Sequence, residues 1–179
     1  MSTEPIMESG MAFGPYPDGH HFYIEKCAVI RKINKNARKS EGVQIAEFLL
    51  LRLEKELPTI WVIEAKSSSP QPSNQIDFDG YINEIREKLS NSLSLFFALY
   101  LKRHLAIEPE FSKDFQETNI SIVSFNLVLI INGHNEAWLP PLLDALKTSL
   151  KPTVKIWNLS PTSVKVLNDN GARELGLIQ

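Results

Sequence analysis

The segment ISIVSFNLVLIING, residues 120–133, constrains the fold of this 179-residue chain more than any other feature. It is an almost unbroken apolar run closed by Asn-Gly, and such runs are typical of strands that are buried on both faces. A strand of this kind needs a layer of structure packed on each side of its sheet. The run therefore predicts a sheet that is covered on both faces.

Three strand-like stretches precede this run, and each is rich in β-branched and aromatic residues. They cover residues 21–33, 42–53 and 59–67. The connections between them are short, which favours an antiparallel meander. Residues 1–15 are expected to be loosely ordered, with one helical turn over 5–9.

A long amphipathic helix is predicted over residues 76–104, because apolar side chains recur there at helical spacing. After the apolar run we expect a helix over 134–151, a strand over 153–159 and a terminal helical segment that begins near Ser160. The predicted fold is one mixed α/β domain over residues 1–179. In it, a three-stranded antiparallel meander is followed by a long helix and crossover strands, with helices on both faces of the sheet.

Composition limits the classes of function. The single cysteine, Cys27, excludes an internal disulfide framework and fits a reducing compartment. The N-terminal residues lack the pattern of a secretory signal, and the most apolar helical stretch, 93–101, is far shorter than the roughly 20 residues of a membrane span. We therefore expect a cytoplasmic protein without a membrane segment.

Two charged residues interrupt the third predicted strand, WVIEAK. In a strand, residues two apart face the same side, so Glu64 and Lys66 are expected to project together while Trp61, Ile63 and Ala65 point the other way. On the preceding strand, Glu47 stands between apolar residues on the corresponding face. Two carboxylates and one ammonium group are therefore expected to share one patch of the sheet.

Charged groups on core strands need partners, because burial of a lone carboxylate is costly. Lys66 between Glu47 and Glu64 is one solution, and it would be a structural ion-pair cluster. A divalent cation is the other solution: Mg²⁺ typically takes one or two protein carboxylates and keeps other positions for water and phosphate. Such a site supports hydrolysis of a phosphodiester.

An acid on one strand, Glu-x-Lys on the next, then helix, buried strand, helix and strand resembles the PD-(D/E)xK nuclease superfamily. The order of elements is similar to that of the family's restriction-endonuclease-like core over residues 22–159. The resemblance implies that Glu47 and Glu64 bind Mg²⁺ or Mn²⁺ and that Glu47, Glu64 and Lys66 are catalytic, with Lys66 assisting the nucleophile. Ala46-Glu47 stands where the family has Pro-Asp.

Several other residues are weaker candidates for the same site. Asp18 belongs to the only Pro-Asp of the chain and is an alternative first acid. The resemblance offers Gln75 on the following helix and Glu8 in the N-terminal segment. The remaining candidates are Glu25, His20, His21, His134 and the serines at 67–69.

A basic segment, RKINKNARK, carries five positive residues and no acid, although the net charge of the chain is −2. It is either a solvated hairpin tip or a contact for the phosphate backbone. The candidate nucleic-acid-binding residues are Arg31, Lys32, Lys35, Arg38 and Lys39.

The leading hypothesis is a metal-dependent endonuclease acting on DNA, with RNA as the less favoured substrate. The rival hypothesis is a non-catalytic scaffold or binding subunit that keeps a nuclease-like fold in a multi-protein complex. A homodimer or a protein partner is expected from the small size of the chain.

Overall fold

The computed structural model describes residues 4–38, 41–54, 57–104 and 111–179. The strands are β1 (Ile6–Glu8), β2 (Met11–Phe13), β3 (His21–Phe22), β4 (Phe48–Glu54), β5 (Leu57–Lys66), β6 (Ser124–Ile131) and β7 (Val164–Asn168). The helices are α1 (Ala28–Asn34), α2 (Gln75–Tyr100), α3 (Lys113–Glu117), α4 (Leu139–Ile156) and α5 (Asp169–Glu174). Short 3-10 turns at Ile24–Lys26 and Glu136–Trp138 lead into α1 and α4.

Strands β3 to β7 form one mixed sheet in chain order. β3, β4 and β5 are antiparallel neighbours, whereas β5, β6 and β7 run parallel. The predicted meander and the mixed sheet are therefore confirmed. The apolar run lies in β6, where side chains 127–131 are fully buried as expected.

The two long helices cover one face of the sheet. Because β5, β6 and β7 follow one another in the same direction, crossovers of one hand bring α2 and α4 to the same side. The predicted stripe of α2 is buried there; its members are Ile82, Ile85, Leu89, Leu93 and Phe96. Each fully buried aliphatic side chain of this kind contributes about 1.5–3 kcal/mol, so the stripe fixes how α2 lies against β5.

The opposite face is covered mainly by the β1–β2 hairpin and by residues near 177. Phe13 forms a bridge with Ile178, and the carbonyl of Leu177 accepts hydrogen bonds from the Gly14 amide (3.0 Å) and the Tyr16 hydroxyl (2.7 Å). These groups close over sheet residues that include Phe48, Leu50 and Trp61.

Helices were expected on both faces, and α5 contributes to this one through Ala172, although the hairpin and the residues near 177 provide most of the cover. One sequence prediction is wrong on this face. Residues 5–9 were expected to form a helical turn, and instead they enter β1. The hairpin is ordered because Ile6, Met11 and Phe13 are buried against the sheet.

The prediction of a strand over 21–33 is also wrong beyond Phe22. Ile24, Cys27 and Ile30 are all buried, and their spacing of three matches the inner side of a helical path. The chain therefore turns into α1, and the basic segment is the end of a helix with its following turn rather than a hairpin tip.

Near the end of the sequence, the structure has a helix where a strand was predicted and a strand where a helix was predicted. Residues 153–156 were expected to form a strand, but α4 continues through Pro152, whose side is exposed, while Leu150 on the opposite side is buried. The predicted terminal helical segment is helical only in α5; before α5 it contains β7, in which Val164, Val166 and Asn168 alternate inward. Among the described helices, none combines the length and the apolar character needed to cross a bilayer.

Candidate active site

The candidate site lies where β4 begins and β5 ends, on the face covered by α2. Phe48 pairs with Ile63, and the Glu47 amide donates to the Ile63 carbonyl at 3.1 Å. This register sets Glu47 opposite Glu64, one residue before β4 starts. Directly opposed residues of an antiparallel pair point to the same face, so the predicted juxtaposition of Glu47 with Glu64 is present.

Glu64 is a carboxylate with no exposed surface. Its Oε1 accepts a hydrogen bond from Lys88 Nζ at 2.7 Å and lies 3.3 Å from Lys66 Nζ. Its Oε2 is buried and has no hydrogen-bond partner among the described residues. Burial raises the pKa of Glu64, and the two ammonium groups act against that rise. Oε1 of Glu64 thus interacts with two ammonium groups, whereas Oε2 accepts no hydrogen bond from the described residues.

Lys66 is held between the sheet and α2. Its Nζ donates to Glu84 Oε1 at 2.6 Å in addition to the contact with Glu64. Burial acts to lower the pKa of Lys66, but the hydrogen bond to Glu84 and the charges of both glutamates leave it above its ordinary value. Lys66 is therefore a stable ammonium ion.

Glu47 has the most perturbed environment of the cluster. Partial burial, a hydrogen bond with Glu25 and the charges of Glu64, Glu25 and Glu8 raise the pKa of Glu47 from its ordinary value of 4.5 to about 8. Like charges brought together disfavour ionisation. Without another positive charge nearby, the Glu47 carboxyl therefore keeps its proton at neutral pH.

A divalent cation is the other source of positive charge that these carboxylates could use. Two carboxylates, Glu47 and Glu64, match the number of protein ligands that Mg²⁺ usually takes, and the Oε2 atom of Glu64 is an unused oxygen donor. Within the described ranges, no group of three or more His, Cys, Asp or Glu side chains is arranged as a metal cage. Glu47 and Glu64 are therefore the carboxylates that would hold a cation here, and Glu64 is buried.

A cleft of about 580 Å³ opens beside these residues. Its lining includes Glu25, Glu84 and Lys88 together with Arg31 and Arg38, whereas Glu47, Glu64 and Lys66 lie behind this lining and are not part of it. Two of the predicted nucleic-acid-binding residues thus share a cavity with groups of the candidate site.

The other residues of the basic segment are placed differently. Lys32 and Lys35 are exposed on α1 and beyond its end, and neither lines the cleft. Lys39 lies outside the described residues. Of the four basic residues of this segment that the structure describes, the two arginines line the cleft and the two lysines do not.

The weaker candidates are mostly apart from the cluster. Asp18 is exposed, and the amide of Gln75 donates to Asp79 at 2.8 Å on the outer side of α2. Glu8 pairs with Lys26 at 3.2 Å but contributes its charge to Glu47. Glu25 was only a secondary candidate, and it is a direct neighbour of Glu47.

The serines and histidines divide between two places. Ser67 and Ser68 are exposed, whereas Ser69 Oγ lies 3.4 Å from His134 Nε2 in a separate cavity. His20 precedes β3, and His21 is its first residue. Burial lowers the pKa of His21. The buried Nδ1 of His21 has no hydrogen-bond partner in the part of the chain that the structure describes. Cys27 is buried in the core.

Sequence reasoning missed the contribution of α2. Glu84 and Lys88 are four residues apart, so they lie one turn apart on one side of the helix and flank its buried stripe. Tyr81 lies near them: burial raises its pKa, as do the charges of Glu64 and Glu84. The i, i+4 spacing of an acid and a lysine at the border of an apolar stripe was the available signal.

Comparison of the chain with protein-family models, with curated proteins and with solved structures finds no match. The function is therefore inferred from the site itself.

Proposed function

We propose that this protein is a metal-dependent phosphodiesterase of nucleic acid, with DNA as its substrate, and that its sheet is a variant of the restriction-endonuclease-like fold. The observation that carries the proposal is Glu64. It is a fully buried carboxylate with one oxygen held by two lysines and the other unpartnered among the described residues, and it faces a second carboxylate, Glu47. Perturbed carboxylates beside a cleft are typical of catalytic sites.

Glu47 and Glu64 would hold the cation. Bound Mg²⁺ or Mn²⁺ supplies positive charge to the phosphate and activates water for attack. In the hydrolysis, an oxygen of water forms a bond to phosphorus, one P–O bond to a sugar oxygen breaks, and that sugar oxygen receives a proton.

Lys66 acts as a fixed positive charge in this proposal. A general base has to lose its proton near the working pH, whereas the neighbours of Lys66 hold its pKa above the ordinary lysine value. An ammonium ion placed where negative charge develops on the phosphate stabilises the transition state. This narrows the role expected from the sequence to electrostatic stabilisation.

Arg31 and Arg38 support a nucleic-acid substrate. They line the cleft that also contains Lys88 and Glu25. Arginine binds phosphate through two parallel hydrogen bonds, so the cleft suits a backbone that approaches Glu47 and Glu64 from that side.

The test is cleavage of supercoiled plasmid DNA by the full chain in Mg²⁺ or Mn²⁺. We expect nicking that EDTA stops, and a loss of about 100-fold or more in Glu64→Gln and Lys66→Met, as for removal of a transition-state interaction. The matched controls are the exposed residues Glu174→Gln and Lys113→Met, which should cleave normally. Cleavage that survives both site substitutions would rule out this assignment.

The ion pair between Lys66 and Glu84 favours a second candidate function, a non-catalytic scaffold with the same fold. In that case Lys66 neutralises the glutamates and no cation binds. Mn²⁺ titration by isothermal calorimetry separates the two. The nuclease should bind Mn²⁺ and lose that binding in Glu47→Gln, whereas the scaffold should bind none and should respond to Lys66→Ala only by losing stability. Binding to nucleic acid and formation of a homodimer remain predictions.

A further inference from the structure

A second, smaller cavity of about 210 Å³ lies beyond the end of β5. Its walls are the loop 69–73, with two prolines, Trp138 at the end of the 3-10 turn, and Leu142 in the first turn of α4. Ser69 follows Lys66 by only three residues, so the cavity is close to the candidate active site along the chain.

The polar and aromatic groups of this cavity suit a flat heterocycle. Trp138 has 49% of its surface exposed, and its ring meets that of His134 edge-on at 5.7 Å. His134 Nε2 and Ser69 Oγ are 3.4 Å apart. Both can exchange hydrogen bonds with ring nitrogens or with exocyclic groups. The buried Leu142 supplies an apolar wall.

Size and charge narrow the choice of ligand. Pockets for drug-sized ligands measure about 300–1,000 Å³, so 210 Å³ is suited to a single ring system. Of the described residues that line the cavity, none is a lysine, arginine, aspartate or glutamate, so they offer no charge with which to select a phosphate. A base, rather than the backbone, is the part of a nucleotide that the cavity fits.

The cavity is also held in shape before any ligand arrives. The backbone of His134 accepts a hydrogen bond from the Asn168 side chain at 3.0 Å, and the Gly133 amide donates to Asp169 at 3.0 Å. The Asn132 amide donates to the Lys66 carbonyl at 2.9 Å, which ties the same loop to β5. A preformed site loses less free energy in ordering when it binds.

We propose that this cavity is a nucleobase subsite, in which an unpaired base stacks on Trp138 and hydrogen-bonds with His134 and Ser69. The inference rests on the proposed function, because the base would belong to the strand whose phosphate lies at Glu64. It implies that the substrate has an unpaired nucleotide next to the cleaved bond.

The first test is a titration of the ¹⁵N-labelled full chain with dAMP in EDTA, followed through the indole signals of its three tryptophans. The Trp138 signal should shift, and those of buried Trp61 and of Trp157, which stacks on Phe97, should not. Deoxyribose 5-phosphate should have no effect. Equal shifts with the sugar phosphate, or no shift of Trp138, would overturn the subsite.

The second test measures binding of single-stranded dA₁₀ by fluorescence anisotropy in EDTA. Trp138→Ala should weaken binding about fivefold or more, the loss expected for one base–aromatic stack. Trp138→Phe, which keeps a ring, and Trp157→Ala, a matched exposed tryptophan, should bind normally. Unchanged binding by folded Trp138→Ala contradicts the proposal.

The two proposals fail separately. Both binding experiments omit the cation and need no cleavage, so an inactive protein that still binds dAMP at Trp138 would overturn only the nuclease assignment. Plasmid cleavage with no response of Trp138 to nucleotides would overturn only the subsite.

Discussion

Glu64 is the residue on which the site depends. A carboxylate without water needs other stabilisation, and here two lysines, Lys66 and Lys88, provide it on a single oxygen. The sequence identified Lys66 but not Lys88, whose Nζ makes the shorter contact with Glu64. Oε2, which none of the described residues engages, is the part of this group that an added ligand would use.

Replacing Lys88 tests how strongly Glu64 relies on it. Lys88→Met should lower the free energy of unfolding by about 3 kcal/mol, the cost of removing one partner from a buried ion pair. Lys88→Arg should lose much less, because it keeps the charge. Urea denaturation measures both. Lys113→Met, at an exposed site, is the control and should change stability by less than about 0.5 kcal/mol; equal losses in both methionine variants would contradict the prediction.

The pKa of Glu47 predicts how stability depends on pH without a metal. The unfolded chain loses the proton of Glu47 near pH 4.5, whereas the folded protein keeps it up to about pH 8. The folded state therefore binds more protons between these values, so the free energy of unfolding should fall as pH rises from 4.5 to 8. The raised pKa of Glu64 acts in the same direction.

Urea denaturation in EDTA across this range checks the slope. Glu47→Gln should make the curve flatter, and Glu174→Gln should leave it unchanged. Addition of Mn²⁺ should reverse the trend in the wild-type chain, since a cation binds the ionised carboxylates. An identical slope in Glu47→Gln would show that another group titrates.

At the scale of elements, α2 and α1 add charged side chains to the candidate site that β4 and β5 form. α2 presents Glu84 and Lys88 to the end of β5, so one helix contributes an acid and a base to the charge cluster. α1 and the turn after it bring Arg31 and Arg38 into the same cleft.

The position of the arginines predicts a change in DNA binding. Arg31→Ala with Arg38→Ala should weaken binding and reduce the salt dependence, log K against log [salt], by about one unit for each phosphate group that the variant no longer binds. The control is Lys147→Ala with Lys151→Ala, an exposed pair on α4 outside the cleft. Fluorescence anisotropy with duplex DNA at several salt concentrations measures the slopes. Equal effects of the two double variants would mean that charge alone, and not the cleft, determines binding.

For the whole molecule, the sequence predicted the parts that depend on clear periodicity. The stripe of α2, the buried run of β6 and the alternation around Glu64 and Lys66 each have one dominant pattern, and each is present. The pairing of Glu47 with Glu64 followed because a hairpin with a short connection has few registers.

The parts of the fold that the sequence did not predict depend on tertiary contacts, which local sequence patterns do not reveal. The β-branched residues after Phe22 favour a strand locally, yet burial of Val29 and Ile30 in the core goes with a helix. Those after Pro152 continue α4, whose buried side chains are Leu142, Leu146 and Leu150. Val164 to Asn168 is a strand because β6 offers it an edge. The partnership of Lys88 with Glu64 could not be predicted without knowing how α2 lies on β5.

The contacts between the β1–β2 hairpin, with the residues that follow it, and the residues near 177 have a consequence for synthesis of the protein. The carbonyl of Leu177 holds Gly14 and Tyr16, which are separated from it by more than 160 positions. A ribosome must therefore reach residue 177 before this side of the sheet acquires its full cover. Until then Phe48 and Trp61 can be covered by the hairpin but lack the contribution of Leu177 and Ile178.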